Sequence, residues 1–304
     1  MSKKVLVLMG GFSAEREVSL VTGKGVAEAL KKRNYDVVCY DLKNGFDFVD
    51  FLKKEKPDVV FNALHGNFGE DGEIQGMLDV LQIPYTHSGL KASVLGMDKS
   101  LTKSVAEKYG IKVAVSEKMT FADFKKNGTK IKMPFVVKPV SDGSSVGVYI
   151  VKNNEDKEKV FYENSEREIL VEKYIQGQEI TVGVLNGKAL CVTEIRPKVE
   201  FYDYRAKYTD GITDHIIPAE IPEKTAEQAK KYAEIIHEAL DCSVLSRSDF
   251  IYNSEEGVVF LEINTNPGMT PLSLVPEQAN YVGLSYEDIC IKLVEKASYR
   301  QLDG

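Results

Sequence analysis

The chain has 304 residues, 43% of them hydrophobic and 28% charged, which is enough to bury a large core and unlike a disordered or fibrous protein. Asp and Glu number 46 against 39 Lys and Arg, a net charge of -7 that argues against general affinity for nucleic acid or an anionic membrane. Cys39, Cys191, Cys242 and Cys290 lack CxxC spacing and no apolar run is long enough to span a bilayer, so a cytoplasmic protein of about two domains is expected, with neither a disulfide framework nor a cysteine zinc site.

Val5 to Met9 is a continuous apolar run between lysines and glycines, the pattern of a strand buried on both faces of a parallel sheet. A helical pattern from Arg16 to Arg33 follows, then a strand at Val37 to Tyr40, a helix at Phe46 to Lys54, a strand at Val59 to Leu64, a helix at Gly76 to Leu81 and a short strand at Ile83 to Tyr85. This alternation predicts a doubly wound α/β domain. Lys99 to Tyr109 reads as a helix, and Phe135 to Lys138 and Val148 to Val151 as a hairpin around a glycine loop. Strands follow at Ile169 to Lys173, Glu179 to Leu185 and Ala189 to Ile195, then a polar, aromatic loop from Phe201 to His215, a helix from Thr225 to Leu240, and strands at Ser246 to Tyr252 and Gly257 to Ile263. Domains are expected over residues 1–90, 91–171 and 172–304.

Gly10-Gly11-Phe12-Ser13-Ala14-Glu15-Arg16-Glu17 follows the first strand and opens a helix, a place where backbone N–H groups suit an anion. It fits neither G-x-G-x-x-G nor GxxxxGK[ST], so neither a dinucleotide site nor a P-loop is supported. An N-capping turn with Ser13 as the cap is the plainer reading, and the Glu15 carboxylate equally suits the ammonium group of an amino acid. Gly143-Ser144-Ser145-Val146-Gly147, preceded by Lys138, combines close backbone approach, hydroxyl donors and a cation, as a phosphate loop needs; a flexible hairpin tip has the same composition.

Arg247-Ser248-Asp249 and Glu262-Ile263-Asn264 lie on two strands joined by a short loop, so a hairpin would bring Asp249 near Glu262 and Asn264. Oxygen donors on one face amid apolar neighbours need a partner, and an all-oxygen set suits magnesium or manganese; a solvated surface hairpin is the alternative. Arg247 is either a structural ion pair or a stabiliser of transition-state charge. His65 ends the third strand and so faces the same crevice as Glu15. There is no HExxH pair and no G-x-S-x-G elbow.

Taken in order, Gly10 to Ser19, His65-Gly66, Gly69-Glu70-Asp71-Gly72, Met97-Asp98-Lys99, Val137-Lys138-Pro139, Gly143 to Gly147, Tyr202-Asp203-Tyr204, Lys207-Tyr208, Arg247 to Asp249, Glu262 to Thr265 and Pro267 to Thr270 resemble the D-alanine--D-alanine ligases of the ATP-grasp superfamily across essentially the whole chain. The resemblance implies an N-terminal substrate-binding domain followed by the two-part ATP-grasp fold with antiparallel sheets. It implies ATP-dependent joining of two D-alanines through an acyl phosphate, two Mg2+ ions or Mn2+, a cytoplasmic setting and a homodimer. It places Lys99, Lys138, Ser144 and Ser145 at the ATP phosphates, Lys207 at the γ-phosphate, and Glu172 and Glu179 at the adenine and ribose. Asp249, Glu262 and Asn264 become the metal ligands. Glu15 takes the first D-alanine's ammonium and joins Ser144 and Tyr208 in a hydrogen-bond network, with His65 beside that substrate's carboxylate. Arg247 and the Gly268 N–H stabilise the tetrahedral oxyanion, and Ser273 and Leu274 take the second substrate's carboxylate. The loop from Tyr202 to His215 becomes a lid, and Tyr208 goes with dipeptide rather than ester formation.

Overall fold

A computed structural model describes residues 2–143, 146–198 and 212–300. The first domain contains β1 (Lys4–Gly10), α1 (Arg16–Lys32), β2 (Asp36–Leu42), α2 (Gly45–Glu55), β3 (Val59–Asn62) and α3 (Glu73–Val80), the alternation expected from the apolar runs. Its three strands pair in parallel in the order β2-β1-β3. Val5, Leu6, Val7 and Leu8 are wholly buried, because helices cover both faces of the central strand. The expected strand at Ile83 to Tyr85 is reduced to isolated bridges of Tyr85, a parallel one to Val60 and an antiparallel one to Ser298. Pro84 has no N–H for a ladder, and the Tyr85 N–H turns instead to the Ser298 carbonyl at 3.1 Å.

The central region contains α4 (Leu90–Met97), α5 (Lys99–Lys108), β4 (Ser116–Thr120), α6 (Phe121–Asn127), β5 (Phe135–Pro139), β6 (Tyr149–Val151), α7 (Asn154–Lys159) and β7 (Glu168–Lys173). These strands form an antiparallel sheet in the order β4-β7-β5-β6, with β5 and β6 as the predicted hairpin. Glu172 lies inside β7, so this sheet continues one residue past it and the chain leaves the sheet after Lys173.

The last region contains β8 (Gln178–Leu185), β9 (Lys188–Pro197), β10 (Thr213–Ile216), α8 (Glu223–Ala239), β11 (Leu245–Asn253), β12 (Gly257–Asn264), α9 (Leu274–Tyr281) and α10 (Tyr286–Glu295). The sheet runs β10-β9-β8-β11-β12, antiparallel throughout. Within the expected loop, residues 213–216 are a strand because they pair with β9. Ala229, Ala233 and Ile236 of α8, with Leu240 just after it, pack on Ile180, Val182, Phe250 and Phe260. Ile289, Leu293 and Val294 of α10 return to the first domain and share a core with Val5, Val7, Val26 and Leu30. Each such side chain contributes roughly 1.5–3 kcal/mol on burial, so the chain's last helix completes the core that its first strand begins.

Candidate active site

The three sheets converge on two adjoining cavities that share Lys99, Asp142, Ile195, Asp249 and Glu262 as wall residues. The smaller, polar one of about 90 Å³ is lined by Glu15, His65, Arg247, Asn264, Gly268, Ser273 and Leu274, which the sequence reading assigns to substrates, metal and oxyanion. The larger one, about 410 Å³, is lined by Lys138, Glu172 and Glu179 with apolar residues such as Val136, Ile150, Ile175 and Leu261.

Glu15 stands at the N-cap position of α1 and is nearly buried. The expected cap, Ser13, does not take that position: its hydroxyl donates to the His65 carbonyl at 2.6 Å and accepts from the Glu15 N–H at 3.2 Å. Gly66 has φ +69°, and a Cβ there would stand 2.6 Å from Glu15 Oε2, so glycine is what lets the carboxylate lie against this backbone. A Cβ on Gly143 would lie 3.4 Å from the same oxygen, which brings the start of the glycine loop of the central region to the first domain's carboxylate. The His65 ring is fixed on both nitrogens, with Nε2 3.1 Å from Thr22 Oγ1 and Nδ1 3.0 Å from Glu70 Oε1. Both Thr22 and Glu70 hold a predicted site residue, and the sequence reading gave neither of them a role.

On the β11/β12 hairpin Asp249 pairs with Glu262 and Arg247 with Asn264, the juxtaposition expected from the strand period. Arg247 forks onto Asp249, Nε at 3.0 Å from Oδ1 and Nη2 at 2.9 Å from Oδ2, and Thr181 Oγ1 donates to Asp249 Oδ1 at 2.6 Å. Lys99 Nζ lies 3.3 Å from Glu262 Oε2 and donates to the Asp142 carbonyl at 2.5 Å. Asn264 Oδ1 accepts from the Asn266 N–H at 2.8 Å, and the Asn266 side chain turns away to the Leu64 carbonyl. Among the described residues no three His, Cys, Asp or Glu side chains form a metal cluster; the donor set is two carboxylates and one amide. These are hard oxygens beside two cations, Lys99 and Arg247, which fits magnesium or manganese rather than a soft metal.

Ser273 Oγ accepts from the Thr270 N–H at 2.9 Å, immediately before α9, and a Cβ on Gly268 would touch it at 3.0 Å. In the larger cavity Glu172 lies between two ammonium groups, Lys138 Nζ and Lys103 Nζ, each at 2.8 Å. Burial acts to raise the Glu172 carboxyl, but the two lysines outweigh it and hold it below the usual range. Ser144, Ser145, Lys207, Tyr208 and most of the expected lid lie outside the described residues.

Models of the D-ala D-ala ligase N-terminus and C-terminus match residues 4–54 with 48–88, and 105–295. The chain belongs to the D-alanine--D-alanine ligase family. A D-alanine--D-alanine ligase of Erythrobacter litoralis is 47% identical over 302 residues, covering 96% of this chain and 93% of that one. The D-alanine--D-alanine ligase of Bacillus anthracis complexed with ATP superposes with a TM-score of 0.82 at 35% identity over 97% of both chains. The VanG D-Ala:D-Ser ligase of Enterococcus faecalis gives 0.80 at 28% identity, covering 97% of this chain and 99% of that one. The ATP-grasp architecture expected from the resemblance is therefore the architecture of this ligase family.

Proposed function

We propose that this chain joins two D-alanines to D-alanyl-D-alanine, with ATP cleaved to ADP and phosphate, for peptidoglycan precursors. The observation that carries the reading is the wall of Lys99, Asp142, Asp249 and Glu262 common to both cavities. ATP in the larger cavity, with its triphosphate toward that wall, has its γ-phosphate within reach of a carboxylate in the smaller one. Glu15 and His65 hold the first D-alanine by its ammonium and carboxylate. A carboxylate oxygen then attacks the γ-phosphorus, ADP leaves, and an acyl phosphate forms. Ser273 and Leu274 orient the second D-alanine, whose amine attacks the acyl carbon; the tetrahedral oxyanion collapses, the C–O bond to phosphate breaks, and the departing phosphate takes the proton that the amine gives up.

Negative charge develops in both steps, and the cations answer it. Lys99 and Lys138 meet the phosphates, while Arg247 and the Gly268 N–H face the oxyanion. Glu172 and Glu179 border adenine and ribose. Ions of magnesium or manganese held by Asp249, Glu262 and Asn264 would neutralise phosphate charge. The roles of Ser144, Ser145, Lys207 and Tyr208 rest on the resemblance alone, as do the homodimer and the cytoplasmic setting; no described helix is long and apolar enough to cross a membrane.

The test is phosphate release from ATP and magnesium with D-alanine, L-alanine, or D-alanine plus D-lactate or D-serine, with products identified by mass spectrometry. D-alanyl-D-alanine formed in step with phosphate supports the reading. An ester or D-alanyl-D-serine as the main product moves it to another branch of the family, and no D-alanine-dependent release overturns it.

A further inference from the structure

Lys103 has no part in the chemistry above, yet it is a buried lysine with 2% of its surface exposed; burial pulls its pKa down, and the Glu172 carboxylate beside it pulls the other way. It stands one turn after Lys99 on α5, so both side chains leave the same helix face. Lys99 reaches outward to the cavity wall, to the Asp142 carbonyl and Glu262. Lys103 reaches inward to Glu172 Oε1 at 2.8 Å, and its Nζ lies 3.4 Å from the Phe260 carbonyl on β12. The other Glu172 oxygen is 2.8 Å from Lys138.

Lys138 and Glu172 alone would be a closed, neutral pair, and a buried carboxylate at that distance would cancel most of the ammonium's field. Two ammonium groups on one carboxylate leave one positive charge over. Lys138 lines the larger cavity and Lys103 does not, so the surplus is presented to the cavity. We propose that Lys103 is a positioning residue for the nucleotide: by taking up the charge of Glu172 it leaves the charge of Lys138 to the phosphates. This deepens the ATP reading of the larger cavity and rests on it. A lysine that merely filled space between α5, β7 and β12 would support the whole cavity alike, whereas a charge compensator acts far more on the phosphates than on the nucleoside, which feels only the small shift of Glu172 beside it.

The test compares dissociation constants of ATP with magnesium and of adenosine, by calorimetry and competition in the absence of D-alanine, for the full chain and its Lys103→Met and Lys103→Arg variants. Lys103→Met is expected to weaken ATP by about tenfold, as loss of one charge at this range implies, and adenosine by less than about twofold. Lys103→Arg restores most of the ATP affinity. In turnover the KM for ATP rises with the dissociation constant while the KM for D-alanine stays within about twofold. Should Lys103→Met not fold, Lys103→Gln, which keeps a hydrogen bond to Glu172 without the charge, replaces it with the same expectation. Unchanged ATP binding, equal losses for ATP and adenosine, or an arginine variant as weak as the methionine one at an unchanged melting temperature would overturn the proposal. Binding is read without D-alanine, so a failure to form dipeptide bears on the reaction alone.

Discussion

At the scale of single residues, the chemistry depends on side chains held from two sides. Arg247 is the clearest case: its guanidinium grips both oxygens of Asp249 while the Arg247 side chain still borders the smaller cavity. Under the proposed mechanism Arg247→Ala removes both the oxyanion donor and the fork, and a drop in kcat of roughly 100-fold or more is expected from the lost donor. Arg247→Lys keeps the charge but cannot reproduce two parallel N–H donors, so it should recover little. Steady-state phosphate release with D-alanine measures both; a lysine variant near wild-type rate would show that charge alone matters here. The juxtaposition of Asp249, Glu262 and Asn264 was legible in the sequence because a strand's period of two and a short loop settle it locally. Lys103 and Glu172 were not legible as a pair, since they meet only in the tertiary fold, across about seventy residues of chain. Ser13 misled for a related reason: its hydroxyl has a tertiary partner, the His65 carbonyl, which no local capping rule sees.

At the scale of elements, most strands and the longer helices follow from apolar runs and their periods, while the short pieces do not. β4, Ser-Glu-Lys-Met-Thr, has no strand pattern of its own and exists because β7 pairs with it. The register shift in β8 between Val182 and Val184 is equally silent in the sequence. The structure meets it with Gln278 of α9, whose Oε1 accepts from the Gly183 N–H at 2.7 Å and whose Nε2 donates to the Thr181 carbonyl at 3.1 Å and Thr193 Oγ1 at 3.0 Å. A fully buried amide with every contact satisfied is expensive to remove, because leucine would leave the Gly183 N–H and the Thr181 carbonyl without that partner. Gln278→Leu should lower unfolding free energy by about 3 kcal/mol in urea denaturation with an unchanged m-value. Because α9 begins at Leu274, the variant should also raise the KM for D-alanine more than that for ATP. A loss under about 1 kcal/mol would mean that water or a repacked helix replaces the amide.

At the scale of the whole molecule, the first and last regions are joined by more than the α10 core. Thr86, His87 and Ser88 lie on the first domain's side of that seam: Ser88 Oγ accepts from the Ser243 N–H at 3.2 Å, and the His87 ring stands edge-on to Phe61 at 5.5 Å. Burial, with a smaller push from His65, lowers the His87 pKa to about 3. In the unfolded chain a histidine titrates near 6.5. Between those values the unfolded state binds a proton that the native state refuses, so stability rises with pH through the window and levels off above it. From pH 7 down to pH 5 this one group should remove about 2 kcal/mol. His237, also lowered by burial, acts in the same direction. The carboxylates held low by cations, Asp41 beside Arg16 and Glu172 between its lysines, give stability that is lost as pH falls through the ordinary carboxylate range and below it. The interval from pH 5 to 7 therefore isolates the histidines. His87 sits at φ +69°, a conformation asparagine tolerates, so His87→Asn can keep the backbone while removing the titration. Urea denaturation at pH 5, 6 and 7 should show the wild-type slope flattened in this variant. A wild-type protein equally stable at pH 5 and pH 7 would mean that His87 takes up its proton without opening the seam, and would remove it as the acid-sensitive point of the fold.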